Sequence, residues 1–194
     1  MDELVRRAVE KWPNVPAVAG WLRLDRRGEW WIRMGEAEDA PFDRITSPAL
    51  IAFIGRNYDR DDRGRYYFQN GPQRVYVALE YAPYVLRLDD TQGGLITHND
   101  VVVRSIGAAF IDEEGSLVLN TDIGLGLVLD RDLERITDTL ADTAGRAIDG
   151  EVLFDEIAAG RAFEGALLGE RVWFRPVRKE DVARTGAFVA EPGV

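Results

Sequence analysis

The residues of this chain that could do chemistry are arginines and aromatic rings on neighbouring stretches of its first half. Arginine binds carboxylate and phosphate groups through paired N–H donors, and aromatic rings stack on planar groups. Six of these residues form the candidate ligand-binding set: Arg23, Trp31, Arg33, Arg74, Tyr76 and Arg87. Their chemistry predicts a site for a small anionic ligand or an acidic protein segment. The alternative is a solvated row of cross-strand pairs that these arginines form with Glu29 and Glu80.

The spacing of these residues suits a β-sheet. Side chains two positions apart lie on the same face of a strand, which groups Trp31 with Arg33 and Arg74 with Tyr76. The adjacent pair Trp30 and Trp31 places one indole on each face. A sheet with large rings on both faces must bury both faces or leave one as a binding surface. The pattern therefore predicts an arginine-rich aromatic face, provided that strand register brings these residues together.

The sequence contains few side chains that could support covalent, redox or metal chemistry. The sequence has no Cys, which excludes thiolate nucleophiles, disulfides and iron–sulfur clusters. Its single histidine, His98, excludes a metal site built from several histidines of one chain. We interpret His98 as a polar residue at a strand end, because no nucleophile elbow surrounds the nearest serine, Ser105. We therefore predict no catalytic residue, no metal ion and no cofactor.

Two short motifs have structural rather than chemical interpretations. Asp59, Asp61 and Gly64 have the spacing that begins a calcium loop, but Asn70 stands where that loop needs a bidentate glutamate. We predict a solvated turn between a helix and a strand there. The segment Gly124-Leu125-Gly126 lacks the Lys and the Ser or Thr of a phosphate-binding loop. We predict a strand in which small residues allow close packing.

Composition narrows the class of protein and its partners. The 194 residues carry a formal net charge of −10, and 46% of them are hydrophobic, as in ordinary folded proteins. The acidic excess lies in residues 98–194 and would repel phosphate, so we expect no nucleic-acid partner. The chain has neither a run of ~18 apolar residues nor a secretory signal. We therefore expect no membrane association and a cytoplasmic location.

Hydrophobic periodicity and turn residues outline the elements that must position these side chains. Helices are predicted at 2–12, 47–58, 130–144 and 151–159. A hairpin is predicted over 18–34, with further strands at 65–69, 73–79, 84–88, 101–103, 108–111, 117–120, 123–129, 166–168 and 171–177. This order lacks the regular strand–helix alternation of a parallel sheet. It predicts an α+β fold with mostly antiparallel sheets, each with a covering helix, and it leaves open whether the two halves are related.

The domain boundary is predicted at the paired glycines Gly93-Gly94, after which the charge becomes acidic. This prediction divides the chain into an N-terminal α+β half at residues 1–97, a C-terminal α+β half at 98–178 and a short tail at 179–194.

Several segments resemble known families. Residues 68–77 (FQNGPQRVYV), 80–87 (EYAPYVLR) and 20–25 (GWLRLD) resemble a bacterial family of conserved hypothetical proteins that carries a domain of unknown function. The order of elements is similar to that of a second bacterial family of unknown function, which has tandem α+β repeats. The likeness is closest at residues 120–124 (NTDIG). The second resemblance implies a signalling role, and neither one carries a catalytic residue over to this chain.

Together these observations predict a non-catalytic ligand-sensing or protein-interaction module that forms a homo-oligomer. The alternative is an enzyme that uses Asp or Glu for acid–base chemistry and arginine clamps on a small anionic substrate. The alternative requires a deep pocket that contains a carboxyl group of raised pKa.

Overall fold

The computed structural model describes residues 1–37, 39–91 and 93–194, and it has the predicted α+β architecture. The chain forms two compact units. The first unit contains Met1–Pro83 and Ala187–Val194, and the second contains Tyr84–Gly186. Each unit is built on one sheet with helices beside it.

The first unit holds a six-stranded sheet in the order β3-β2-β1-β6-β5-β4. Its elements are α1 (Glu3–Lys11), β1 (Val18–Leu24), β2 (Trp30–Arg33), β3 (Phe42–Arg44), α2 (Pro48–Arg56), β4 (Tyr58–Arg60), β5 (Tyr66–Asn70) and β6 (Gln73–Leu79). The central pair β1 and β6 is parallel, and the other pairs are antiparallel.

Local sequence signals explain how these elements begin and end. The β1–β2 turn closes with Gly28 at φ 79°, and the Asp25 side chain accepts hydrogen bonds from the N–H groups of Arg27 and Glu29. Helix α2 begins at Pro48, and the hydroxyl of Ser47 accepts a hydrogen bond from Leu50 N–H. The predicted hairpin over 18–34 and the helix after Ser47 are therefore present.

One face of the first sheet forms the core of its unit. Strand register places Leu22, Leu24 and Trp30 on that face together with Val77 and Leu79, and all five are buried. Helix α2 packs against β5, where the rings of its Phe53 and of Phe68 meet edge to face at 5.4 Å. The opposite face carries five of the six candidate residues: Arg23, Trp31, Arg33, Arg74 and Tyr76.

The second unit holds a seven-stranded sheet in the order β12-β13-β9-β10-β11-β7-β8. Its elements are β7 (Tyr84–Leu88), β8 (Leu95–Thr97), β9 (Ile106–Ile111), β10 (Leu117–Thr121), β11 (Leu125–Val128), α3 (Asp130–Thr137), α4 (Gly150–Ala158), β12 (Phe163–Leu167), β13 (Glu170–Pro176), a 3₁₀ turn (Lys179–Asp181) and α5 (Val182–Thr185).

The two units repeat one topology. In the first, the meander β1-β2-β3 is followed by α2, and β6 then returns parallel to β1. In the second, the meander β9-β10-β11 is followed by α3 and α4, and β13 then returns parallel to β9. The halves are therefore related in topology, with β4 added to the first sheet and β7-β8 to the second.

Three boundaries differ from those predicted. The units divide after Pro83 rather than after residue 97, because β7 pairs with β11 of the second sheet. Residues 187–194 pack in the first unit instead of forming a tail. The helix predicted to reach residue 144 ends at Thr137, because the backbone of Ala141 exchanges hydrogen bonds with Ala166.

The strand predicted at 101–103 is reduced to a single bridge between Val102 and Ile96. The neighbouring segment Leu95–Thr97 forms the edge strand β8 in its place. No helix in the described part of the chain is both long and apolar enough to cross a membrane.

Candidate functional site

Strand register brings most of the candidate residues to one face of the first sheet. Arg23 on β1 stands opposite Trp31 on β2, and Arg33 on β2 stands opposite Phe42 on β3. We call these four residues the arginine face. Arg74 and Tyr76 lie on this same face of the sheet. Ala78 of β6 pairs with Arg23, and side chains two and four positions before Ala78 point to the same face as Ala78. The condition on register is therefore met for these residues.

The centre of the arginine face is the ring of Phe42. The guanidinium carbon of Arg23 lies 4.6 Å from the ring centroid, and that of Arg33 lies 5.5 Å from it. Both distances are within the range of a cation–π contact, which contributes about 0.5–1 kcal/mol at an exposed site. Two cations therefore share one aromatic ring.

Neither arginine of this face forms an ion pair with any residue that the structure describes. Glu29 pairs with Arg44 at 2.6 Å, and Glu80 accepts a hydrogen bond from the backbone N–H of Arg26. The Nε of Arg33 is buried and has no hydrogen-bond acceptor within the described residues. The row of arginine–glutamate pairs considered from the sequence is thus absent at Arg23 and Arg33.

Trp31 is held in place by the β1–β2 turn. Its indole Nε1 donates a hydrogen bond to Asp25 Oδ2 at 2.9 Å, and Oδ1 of the same carboxylate accepts from two backbone N–H groups of the turn. The indole is half-buried. Because the indole is already positioned, it would lose little side-chain freedom on contact with a ligand.

A backbone irregularity brings β1 close to Arg33. The register between β1 and β6 shifts between Val18 and Leu22, and Gly20 adopts φ 77° inside that bulge. A Cβ atom at Gly20 would lie 3.5 Å from Nη2 of Arg33. A Cβ atom there would make only ordinary van der Waals contact, so the role of this glycine is to supply the positive φ that the bulge needs.

Arg74 and Tyr76 belong to a separate, largely buried group that we call the tyrosine cluster: Asp61, Arg65, Tyr67, Arg74 and Tyr76. The Tyr76 hydroxyl donates to Asp61 Oδ2 at 3.1 Å, and Arg65 Nε donates to the same oxygen at 2.8 Å. The guanidinium of Arg65 lies over the Tyr76 ring, and that of Arg74 lies over the Tyr67 ring at 3.9 Å. The charged and polar groups of this cluster are therefore hydrogen-bonded to, or stacked on, one another.

The contacts within the cluster shift the pKa values of its members. Burial raises the pKa of the Tyr67 hydroxyl, and the negative charge of Asp59 raises it further. Burial would lower the pKa of Arg74, but the hydroxyl groups of Tyr76 and Tyr67 outweigh it and raise that pKa. We therefore assign Tyr76 and Arg74 to the packing of the unit rather than to an open surface.

The turn at Asp59–Gly64 is exposed at Asp59 and Asp62, as predicted, but it is packed at Asp61 and Gly64. The Asp61 side chain is only 11% exposed, and Gly64 is buried at φ 79°. A Cβ atom at Gly64 would lie 2.6 Å from the carbonyl oxygen of Ala187, so the returning C-terminal segment covers this turn. Asp61 therefore anchors the packed part of this loop, which the sequence alone does not reveal.

The remaining candidate, Arg87, lies in the second unit. Its Nη2 donates to Asp100 Oδ1 at 2.6 Å, so this arginine already has an acidic partner. Register does not bring it to the arginine face, because β7 pairs with β8 and β11 of the other sheet.

A cavity of about 1040 Å³ lies in the second unit between α4 and the segments that follow β9 and β13. Its carboxylates include Glu113, which accepts from the backbone N–H of Lys179, and Asp181, which pairs with Arg184. Residues 1–37, 39–91 and 93–194 bring together no group of three His, Asp or Glu side chains suited to a metal ion.

Two surface carboxyl groups have pKa values that neighbouring arginines lower. Backbone and guanidinium donors of Arg146 lower the pKa of Asp142, and the Arg161 guanidinium lowers that of Glu156. A general acid that works near neutral pH needs the opposite shift. These two groups are surface ion-pair partners.

Phe42, the ring that Arg23 and Arg33 share, is not among the residues predicted from the sequence. Its strand has only three residues, Phe42–Arg44, and follows Pro41, which is typical of a loop. The alternation of Phe42 and Arg44 around Asp43 is the only local signal, and it is too short to identify a strand.

Comparisons with known proteins support the fold and indicate no chemistry. Residues 1–193 match the family DUF2944, described as a protein of unknown function (DUF2946). No curated protein matches the chain. A DUF1285 family protein from Silicibacter pomeroyi DSS-3 is similar in structure, with a TM-score of 0.53 and 18% identity over 91% of this chain and 97% of that one. A DUF1285 family protein from Shewanella baltica OS155 has a TM-score of 0.42 and 15% identity over 59% of this chain and 87% of that one.

Proposed function

We propose a function for this chain, which belongs to the DUF2944 family, from the residues of its arginine face. The description of that family states no function. In this proposal the protein is a non-catalytic module that binds a small anion carrying carboxylate or phosphate groups. Arg23 and Arg33 would contact the anion, and the rings of Trp31 and Phe42 would pack against the rest of the ligand. The homo-oligomeric state and the cytoplasmic location expected from the sequence stay predictions.

One observation carries the proposal: two guanidinium groups share the Phe42 ring without a carboxylate partner in the described structure. On the same face, Arg44 stands opposite Trp31 and pairs with Glu29, and elsewhere in the unit Arg56 and Arg65 each pair with a carboxylate. Two neighbouring cations repel each other, and a bound anion would offset that repulsion. An anion approaching Arg33 from its Nε side would also supply the missing acceptor, and leaving such a donor unsatisfied costs about 1–3 kcal/mol.

The experiment is a titration of the purified protein with inorganic phosphate and with citrate, followed by calorimetry and by the unfolding temperature. We expect saturable binding that weakens about tenfold or more in Arg33→Gln and in Arg23→Gln, since a hydrogen bond to a charged group is worth about 1.5–3 kcal/mol. Sodium chloride of equal ionic strength separates specific binding from screening.

Arg27→Gln is the matched control. Arg27 lies in the turn that joins β1 and β2, it is exposed, and its side chain forms no ion pair with a described residue. The variant removes the same charge from the same hairpin and should bind both anions as the wild type does. Equal loss in all three variants, or no saturable binding of either anion, would contradict the proposal. Binding of a glutamate-rich peptide in place of both small anions would identify an acidic protein segment as the ligand instead.

A further inference from the structure

The core side of the first sheet contains a second cavity, which we call the α2 pocket. It has a volume of about 430 Å³ and lies between α2 and the sheet, with Leu22, Ile32, Phe68 and Leu50 among its walls. Leu22 and Arg23 are adjacent on β1 and point to opposite faces, so the α2 pocket and the arginine face are separated by the thickness of the sheet. A ligand in one does not contact the other.

The walls of the α2 pocket are apolar and partly open to water. Trp21 is 36% exposed, Ile32 40% and Leu50 38%, and these three side chains line the same cavity. Trp21 reaches this side because the bulge of β1 lies between Val18 and Leu22. Burying such surface contributes about 25 cal/mol per Å², so an apolar molecule that covers these walls gains free energy.

The charges of the lining determine what kind of molecule it fits. Charged residues make up 30% of the sequence, yet the lining of the α2 pocket contains none. A charged group placed there would lose water without gaining a partner, so the complementary occupant is uncharged. The volume falls within the 300–1,000 Å³ range in which proteins hold small molecules.

Two amide side chains provide the polar contacts of the pocket. Asn70 and Gln73 lie at the end of the β5–β6 hairpin, where they stand opposite each other, and both line the cavity. Gln73 Nε2 donates to the carbonyl oxygen of Pro16 at 3.4 Å, which orients the Gln73 amide. Amides both donate and accept hydrogen bonds, so they suit a hydroxyl, carbonyl or amide group at one end of an apolar molecule.

We propose that the α2 pocket is a second ligand site, specific for a small uncharged molecule with an apolar body and one hydrogen-bonding group. The site is independent of the arginine face, since no residue belongs to both. A module with an anion site and an apolar site on opposite faces of one sheet can respond to two different small molecules.

The test uses the full chain and the uncharged fluorescent probe N-phenyl-1-naphthylamine. We expect saturable binding to a single site, with displacement by 1-octanol. Leu50→Trp should fill the pocket and raise the dissociation constant of the probe at least about tenfold. Leu4→Trp is the control, because Leu4 is 78% exposed on α1 and outside the lining, and its affinity should equal that of the wild type.

A measurement on the unaltered protein keeps the test decisive if Leu50→Trp does not fold. In protein labelled with ¹³C at the methyl groups, the probe should shift the resonances of Ile32, Leu50 and Ile54, which line the pocket. Absence of saturable binding, shifts confined to other methyl groups, or unchanged affinity in folded Leu50→Trp would overturn the proposal. Arg23→Gln and Arg33→Gln should bind the probe normally, so failure of one site is distinguishable from failure of the other.

Discussion

The carboxylate of Asp61 accepts hydrogen bonds from the backbone N–H groups of Arg63 and Arg65, from Arg65 Nε and from the Tyr76 hydroxyl. Burial by itself would raise the pKa of Asp61, but the donors of Arg65 and Tyr76 outweigh it and hold that pKa below its ordinary value. A carboxyl group whose pKa is lowered by folding stabilises the folded state above its unfolded pKa of about 3.9. That stabilisation is lost as the pH falls from there through the folded pKa.

We therefore predict that Asp61→Asn lowers the free energy of unfolding at pH 7 by about 2 kcal/mol or more. The difference from the wild type should shrink as the pH falls below about 4, because the unfolded wild-type chain then binds a proton at this position that the folded protein resists. Urea denaturation at a series of pH values measures it. Asp62→Asn, at the exposed neighbouring position, should give a small difference. A gap for Asp61→Asn that stays constant down to pH 2 would show that its charge is unimportant.

At the scale of elements, turn and helix-cap residues predict where the hairpin and the helix of the first unit begin. The shortest strands of that unit cannot be predicted from the sequence. Asp25 and Gly28 identify the β1–β2 hairpin, and Ser47-Pro48 identifies the start of α2, because each signal acts within a few residues. The strands β3 and β4 have three residues each and are stabilised mainly by their neighbours, so periodicity cannot reveal them. The helix predicted through residue 144 stops early because Ala141 pairs with β12, a contact distant in sequence.

The same limits apply to the candidate site. Alternation correctly grouped Trp31 with Arg33 and Arg74 with Tyr76, because the side-chain period of a strand is independent of its partners. That Arg23 stands beside Trp31 depends on the pairing of β1 with β2. It could not show that Tyr76 is buried against Asp61 or that Arg87 lies in the other sheet, since both depend on which strands pair. Phe42 is missing from the prediction for the same reason.

Gly126 makes a prediction that belongs to strand packing. A Cβ atom there would lie 2.6 Å from Leu86 Cγ, so the pairing of β11 with β7 depends on the absence of a side chain. We expect Gly126→Ala to lower the free energy of unfolding by about 1–3 kcal/mol, the usual cost of overpacking. Gly107→Ala on β9, with its nearest atom at 3.7 Å, should be neutral or slightly stabilising. Equal denaturation midpoints for the two variants would refute this account of the strand.

The whole molecule is arranged so that the first unit is completed by residues from the far end of the chain. Leu79 N–H donates to Ala190 O, Val189 N–H donates to Gly64 O, and Phe188 is buried with 6% exposure. These contacts join the segment Ala187–Val194 to β6 and to the Asp59–Gly64 turn. The second unit is therefore an insertion within the first, in terms of chain order.

We predict that Phe188→Ala destabilises the first unit by about 3 kcal/mol or more, the cost of truncating a buried aromatic ring. Hydrogen exchange should then accelerate at Leu79 and along β5 and β6, while the amides of β12 and β13 keep their protection. Val194→Ala removes an 80% exposed side chain and should change nothing. Faster exchange in β12 and β13 alone would show that Phe188 stabilises the second unit, which would contradict the prediction.

This arrangement constrains how the protein is made. The ribosome synthesises Tyr84–Gly186 before Phe188, so the inserted sheet is complete while the first sheet still lacks the contacts of Ala187–Val194. The first sheet therefore remains incompletely packed while about half of the chain is synthesised. Chaperones that protect emerging polypeptides should consequently be needed longest by the residues translated earliest.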